Sequence, residues 1–277
     1  MKATIRAQRF GTPGQIGEET RAQVILRERH PPGHSSRWET NFRNMNHREV
    51  RVTRQSGALL LLGAVLFTVG IVVAVVLYGP PPYSFRNTSI SDLQAIYCGS
   101  LGGQPVCSPG YLFANAAVFL AGACLMAGVL RGWRVWAEWG TGSRGLWLLI
   151  LGGAGAAANA FTPADVTLVG DGVTAYIAFV GANLGLVVLS RHLSASNGRN
   201  GFSLYSYASG VVGLAALLVY SLGLYGALGN GGIEWVITLP IILWMGVWGV
   251  ALIRGQIALV PPKSVPNSGN PPERGAA

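Results

Sequence analysis

The stretch "SGALLLLGAVLFTVGIVVAVVLYG", residues 56–79, decides the fold. It lies between Arg54 and Arg86 and holds no charge. A helix needs roughly 20 apolar residues to cross a hydrocarbon core about 30 Å thick, and this run is long enough. Five further charge-free intervals repeat the pattern. They hold "YLFANAAVFLAGACLMAGVL" (111–130), "GLWLLILGGAGAAANAFTP" (145–163), "GVTAYIAFVGANLGLVVLS" (172–190), "ASGVVGLAALLVYSLGLYGALG" (208–229) and "WVITLPIILWMGVWGVALI" (235–253). Spans are expected near 57–78, 111–131, 145–162, 173–191, 209–228 and 235–253. The fold class is therefore an all-α integral membrane protein, a six-transmembrane-helix bundle.

The totals agree. Half of the 277 residues are hydrophobic, 11% are charged and the mean hydropathy is +0.40. An ordinary soluble domain carries about 25% charged residues. The net charge of +9 does not indicate nucleic acid, because a binding face needs its charges together on a folded surface. Here eleven of the twenty Lys and Arg precede Ser56, and the others are scattered between the apolar runs.

Six spans put both termini on one side, and short cytoplasmic loops carry the excess of Lys and Arg. Sorting the charges this way puts nineteen basic residues inside and one outside. Both termini are thus expected to be cytoplasmic, with the first apolar run acting as an uncleaved signal anchor and the plasma membrane as the location. Arg86 is the sole outer basic residue, accompanied there by Asp92, Asp165, Asp171 and Glu234. Residues 1–55 read as a mobile basic cytoplasmic tail, 56–255 as the transmembrane domain and 256–277 as a disordered Pro/Gly/Ser/Asn tail.

The spans drawn above are almost free of ionisable groups, which argues against a proton-coupled carrier. All four histidines (His30, His34, His47 and His192) fall in cytoplasmic segments, so no pair is placed to ligate a haem. There is no CxxC, no Cys/His cluster at metal spacing, no phosphate loop and no GxSxG elbow. Neither a metal nor a cofactor is expected, and the chain reads as non-enzymatic.

Asn115, Asn159 and Asn183, with Thr162 and Thr174, lie toward the outer halves of the second, third and fourth spans. An amide in hydrocarbon needs a partner, so these residues either bond between helices or line a polar pocket that opens outward. The pocket would sit beneath "YSFRNTSISDLQAIYC" (83–98), where Arg86 is flanked by Ser84, Asn87, Thr88 and Ser89. "GGAGAAANA" (152–160) and Gly181 with Gly185 predict close helix packing. Most tryptophans, Trp133, Trp136, Trp139, Trp147, Trp235, Trp244 and Trp248, fall near span ends and read as interfacial anchors. Cys98 and Cys107 share one outer loop and form a candidate disulfide, while Cys124 reads as a packing residue.

"PPPYSFRNTSISDL" (80–93), the helix 111–130 that follows, and "AFTPADVTLVGDGVTAYIAF" (160–179) resemble the prokaryotic six-helix membrane proteins catalogued as domain of unknown function 998. The resemblance covers roughly residues 57–255 and implies a compact bundle. It also implies a serine-rich loop after the first helix, an Asn early in the second, here Asn115, and a Phe/Pro turn after the third, here Phe161 and Pro163. Where the family often has a histidine at the start of the fourth helix, this chain has Gly170–Thr174.

The function expected from these observations is an outward-facing surface around the first outer loop that binds a lipid or a membrane-protein partner, and no nucleic acid. Its candidate residues are Arg86, Ser84, Asn87, Asp92, Asn115, Asn159, Asp165 and Asn183. Arg86 either meets an anionic lipid phosphate or is held by Asp92, Asp165 or Asp171. The alternative is a small-molecule transporter or small membrane enzyme using the same outer polar pocket.

Overall fold

The computed structural model describes residues 47–101, 103–137, 143–197 and 201–256. Six helices of 17 residues or more make up most of it: α1 (His47–Val76), α3 (Tyr111–Ala137), α4 (Ser143–Asn159), α5 (Leu168–Asn197), α6 (Gly201–Ser221) and α7 (Gly229–Ile253). Between α1 and α3 lie a one-turn helix α2 (Ile90–Leu93) and a hairpin of β1 (Gly99–Leu101) and β2 (Gln104–Val106). Each long helix packs on two neighbours, in the cyclic order α1, α3, α4, α5, α6, α7 and back to α1.

Five of these helices, all except α4, are long and apolar enough to cross a membrane. Their apolar side chains face outward as well as inward. On α1 the stripe Leu62, Val65, Val69, Val72 and Val76 is 48 to 76% exposed, while Leu60, Ala64, Phe67, Ile71 and Ala74 are buried. In water such a stripe would be a liability, whereas hydrocarbon is its natural solvent. The sixth long helix, α4, has 17 residues and runs back between α3 and α5.

Helix ends depart from the sequence reading in three places. The first helix starts at His47, so residues 47–55 of the expected mobile tail are its first turns; 1–46 and 257–277 lie outside the described residues. The fifth long helix spans Gly201–Ser221 rather than 209–228. It stops there because Gly223, Gly226 and Gly229 adopt φ of +68°, +51° and +69°, a left-handed backbone that only glycine enters freely. The last helix begins at Gly229 and takes in Glu234, which the charge sorting had left outside.

Small residues set the helix spacing, as the sequence predicted, and they do so within the bundle. A Cβ on Gly153 would lie 2.7 Å from the carbonyl oxygen of Gly122, and one on Gly249 would lie 2.8 Å from that of Gly57. Gly152 leaves no room before the backbone of Ala182.

Several tryptophans correct the anchoring reading. Trp136, Trp244 and Trp248 are at most 2% exposed and cluster in the core, where Ser206 Oγ accepts hydrogen bonds from the indoles of Trp244 (2.9 Å) and Trp248 (3.1 Å). Trp244 and Trp248 are thus buried with their N–H groups satisfied, as core indoles usually are, whereas the buried Trp136 Nε1 has no partner among the described residues. Trp147, 60% exposed, is placed as an anchor would be, and Trp139 lies outside the described residues.

Cys98 and Cys107 form a disulfide at the open end of the hairpin. On the chain-entropy account, closing so short a loop stabilises by about 2.5 to 3 kcal/mol. The variant Cys98→Ser/Cys107→Ser is accordingly expected to melt the hairpin locally and leave the helices formed. Hydrogen exchange should quicken across 99–106 and stay unchanged across 111–137.

Candidate functional site: a capped cavity in the bundle

Segment 83–98 is a cap fastened to the bundle at several points. Helix α2 starts with a capping box: Ser89 Oγ accepts from the backbone N–H of Asp92 (3.0 Å) and Asp92 Oδ2 accepts from that of Ser89 (2.7 Å). Burial pushes the Asp92 carboxyl above its usual 3.8, against the opposing pull of the Ser89 bonds. The backbone N–H of Ile90 reaches Glu234 Oε2 on α7 (2.9 Å), and Ser91 Oγ donates to Glu234 Oε1 (3.2 Å).

The far end of the segment is held as firmly. Gln94 Nε2 donates to Asn115 Oδ1 (3.0 Å), and Asn115 Nδ2 donates to the Gln94 carbonyl (3.1 Å). Asp165 Oδ2 accepts from the backbone N–H groups of both Ile96 and Tyr97, each at 2.7 Å. Near the start of the segment, Gly231 N donates to the Arg86 carbonyl at 3.0 Å, and a side chain on Gly231 would collide with the Thr88 carbonyl. Trp235 Nε1 donates to the Tyr83 hydroxyl at 2.8 Å. A hydrogen bond contributes roughly 0.5 to 1.5 kcal/mol net, so the three backbone N–H groups held by Glu234 and Asp165, together with the Gln94–Asn115 pair, make the cap part of the fold.

Beneath the cap, the middle of the ring contains a cavity of about 80 Å³. Its polar end is formed by Ser91, Gln94, Asn159, Glu234 and Thr238, and its apolar wall runs through Phe67, Val118, Ala121 and Leu125 to Ile241 and Met245. No Lys or Arg lines it. Glu234 is 5% exposed, and among the described residues no ion pair reaches it.

The sequence-predicted residues divide around this cavity. Asn159 lines it; its amide donates to Asp171 Oδ1 (2.9 Å) and Thr174 Oγ1 (3.2 Å), and Thr162 and Thr174 hydroxyls meet at 3.0 Å. Asn115, Asp92 and Asp165 hold the cap. Asn183 stands apart: its amide donates to Phe179 O within α5, and its side chain rests on Gly213 of α6. Arg86, Ser84 and Asn87 form a turn on the outside of the cap, where the Ser84 carbonyl accepts from the backbone N–H of Asn87 (3.0 Å). Arg86 is exposed, and among the described residues no ion pair joins it to Asp92, Asp165 or Asp171.

Two readings need correction. Glu234 and Asp171 lie inside α7 and α5 and are buried, so the helices are not free of acids as the spans drawn on the sequence implied. Sequence reasoning also missed Glu234, Gln94, Ser91 and Thr238 as site residues. One signal was available: Glu234 is an acid directly abutting a 19-residue apolar run with no basic residue nearby.

A ring of apolar helices with outward-facing hydrocarbon stripes and a buried, acid-headed cavity defines a multi-pass membrane protein. Residues 61–251 match the family described as protein of unknown function DUF998, and the chain belongs to that family. No curated protein and no solved structure matches it.

Proposed function

We propose that this protein is a six-span, non-enzymatic membrane protein of the plasma membrane, with both termini cytoplasmic, that binds a lipid or other amphiphile, part of which enters the central cavity under an outward-facing cap. The observation that carries the reading is the cavity itself, polar at the capped end and apolar below, the form an amphiphile fits. The sixth crossing is argued from α4. Its first residue follows closely on α3, whose last turn carries Arg134, and its last, Asn159, bonds Asp171 near the cap. At about 1.5 Å per residue a 17-residue helix covers roughly 25 Å, the short end of the range for a span. The placement of Arg131, Arg134, Arg144, Arg191 and Arg254 supports the orientation.

Arg86 lies outside the cavity and plays a separate part in this reading, an exposed cation for an anionic lipid headgroup or an acidic partner face. Two measurements test the proposal. A membrane-impermeant maleimide should label Asn87→Cys from outside intact cells, and labelling only after permeabilisation would reverse the orientation. Native mass spectrometry of the purified protein should show a retained amphiphile that Ala156→Leu, which fills the cavity, displaces; equal retention in both would remove the cavity as the site.

A second reading, a transporter for the same amphiphile, is favoured by one observation, the buried carboxylate of Glu234 at the cavity head. Flux of the retained amphiphile in proteoliposomes that responds to a pH gradient, and stops in Glu234→Gln, would establish it.

A further inference from the structure

We infer that the cavity's ligand carries an ammonium head on an alkyl body, a cationic amphiphile rather than a phosphate-headed or neutral one. The inference rests on the cavity reading above and adds the chemistry of the head, which the hydrogen-bond bookkeeping at the polar end specifies.

Most donors at that end are already engaged, and one N–H of Gln94 Nε2 is left over. Ser91 Oγ donates to Glu234 Oε1 and Thr238 Oγ1 to the Glu234 carbonyl at 2.9 Å. Gln94 Nε2 is committed to Asn115 Oδ1, and its orientation is fixed because Asn115 Nδ2 is itself spent on the Gln94 carbonyl. Asn159 must turn its nitrogen toward Asp171, whose carboxylate and carbonyl only accept. Those assignments leave Gln94 Oε1 and Asn159 Oδ1 accepting nothing from any described residue, on side chains 2% and 6% exposed that both line the cavity.

Glu234 adds a carboxyl group whose two oxygens each take one bond and keep lone pairs free. The polar end therefore offers several free acceptor sites, one spare N–H on Gln94 Nε2 and an acid that a cation would hold ionised, with no basic side chain. A phosphate or carboxylate head would find a single spare N–H, that of Gln94 Nε2, among several acceptors and beside the acid of Glu234, and like charges placed together cost free energy. An ammonium supplies up to three donors and the missing positive charge. A bare alkali cation would satisfy the oxygens and leave the apolar wall of Val118, Leu125, Ile241 and Met245 unfilled. An alkyl body fills it.

The test uses the full chain in lipid nanodiscs, with thermal unfolding followed by tryptophan fluorescence. Hexylamine, hexanol, hexanoate and sodium chloride are titrated at matched ionic strength. Hexylamine should raise Tm at concentrations at least tenfold below those at which hexanol or hexanoate act, with sodium chloride inert. Glu234→Gln keeps an acceptor for Ile90 and removes the charge, and it should raise the hexylamine concentration required by tenfold or more. Ala156→Leu, which leaves the polar end intact, should abolish the response.

Equal or stronger stabilisation by hexanol or hexanoate, lost in Ala156→Leu, would overturn the ammonium assignment and leave the cavity reading standing. No response to any of the four would overturn both. Stabilisation by sodium chloride matching that by hexylamine would assign an inorganic cation instead. Should Glu234→Gln fail to fold, the order of the four probes on the wild-type protein decides.

Discussion

Replacing Gly152 with Leu is expected to prevent the bundle from closing. A Cβ there would run into the backbone of Ala182, and on the facing helix a Cβ on Gly181 would lie 2.7 Å from Gly152 N. The contact is backbone against backbone, so no flexible side chain can move aside and α4 and α5 must separate. Overpacking commonly costs 1 to 3 kcal/mol, and a collision with main chain puts this variant at or above about 3 kcal/mol. Helix pairing in hydrocarbon depends on close packing rather than on a hydrophobic drive, which sharpens the effect. The check is thermal unfolding and monodispersity in detergent. Gly172→Ala is the control, because a Cβ at Gly172 meets nothing within 4 Å and alanine favours helix by up to about 1 kcal/mol. A Gly152→Leu protein that melts with the wild type would refute the close α4–α5 packing.

Glu234→Ala should release the front of the cap without unfolding the helices. The carboxylate accepts from Ile90 N and Ser91 Oγ, and no described residue stands ready to replace it. Losing two hydrogen bonds costs roughly 2 kcal/mol in this segment, which is about thirtyfold in the population of the open state. Trypsin supplies the readout, since Arg86 is exposed and its carbonyl is held by Gly231 N at 3.0 Å. Added to the purified protein in nanodiscs, it should cut after Arg86 at least tenfold faster in the variant. Asp165→Asn keeps one acceptor for Ile96 and Tyr97 and should change that rate much less. Equal cleavage of wild type and Glu234→Ala would mean that Glu234 does not hold the cap.

Charge spacing reveals the helices because hydrocarbon imposes one dominant rule, a long run without ions, and residues 56–79 obey it. The same rule misdirects at helix ends. It placed Glu234 outside its helix because an acid ends a charge-free window, although a helix continues through any residue whose charge is accommodated. Burial under the cap, with Ile90 N and Ser91 Oγ as partners, does that, and those partners lie 144 and 143 residues away in sequence. The expected disulfide was legible from two cysteines sharing one short loop, and the structure contains it.

The division of labour among Asn115, Asn159 and Asn183 was not legible. All three are span amides by sequence, yet one ties down the cap, one lines the cavity and one rests on Gly213. Which neighbour each meets depends on helix rotation, and a helix apolar on every side carries no sequence signal of its rotation. The buried Trp244 and Trp248 were misread for the same reason, since position along a span says nothing about which side faces lipid.

The central claim is that segment 83–98 is a structured cap over an internal cavity. Hydrogen exchange on the wild-type protein in lipid nanodiscs tests it most directly, at the amides of Ile90, Ile96 and Tyr97, which donate to Glu234 and Asp165. These three amides are predicted to exchange as slowly as those of α3; exchange at the rate of an unstructured loop would contradict the account.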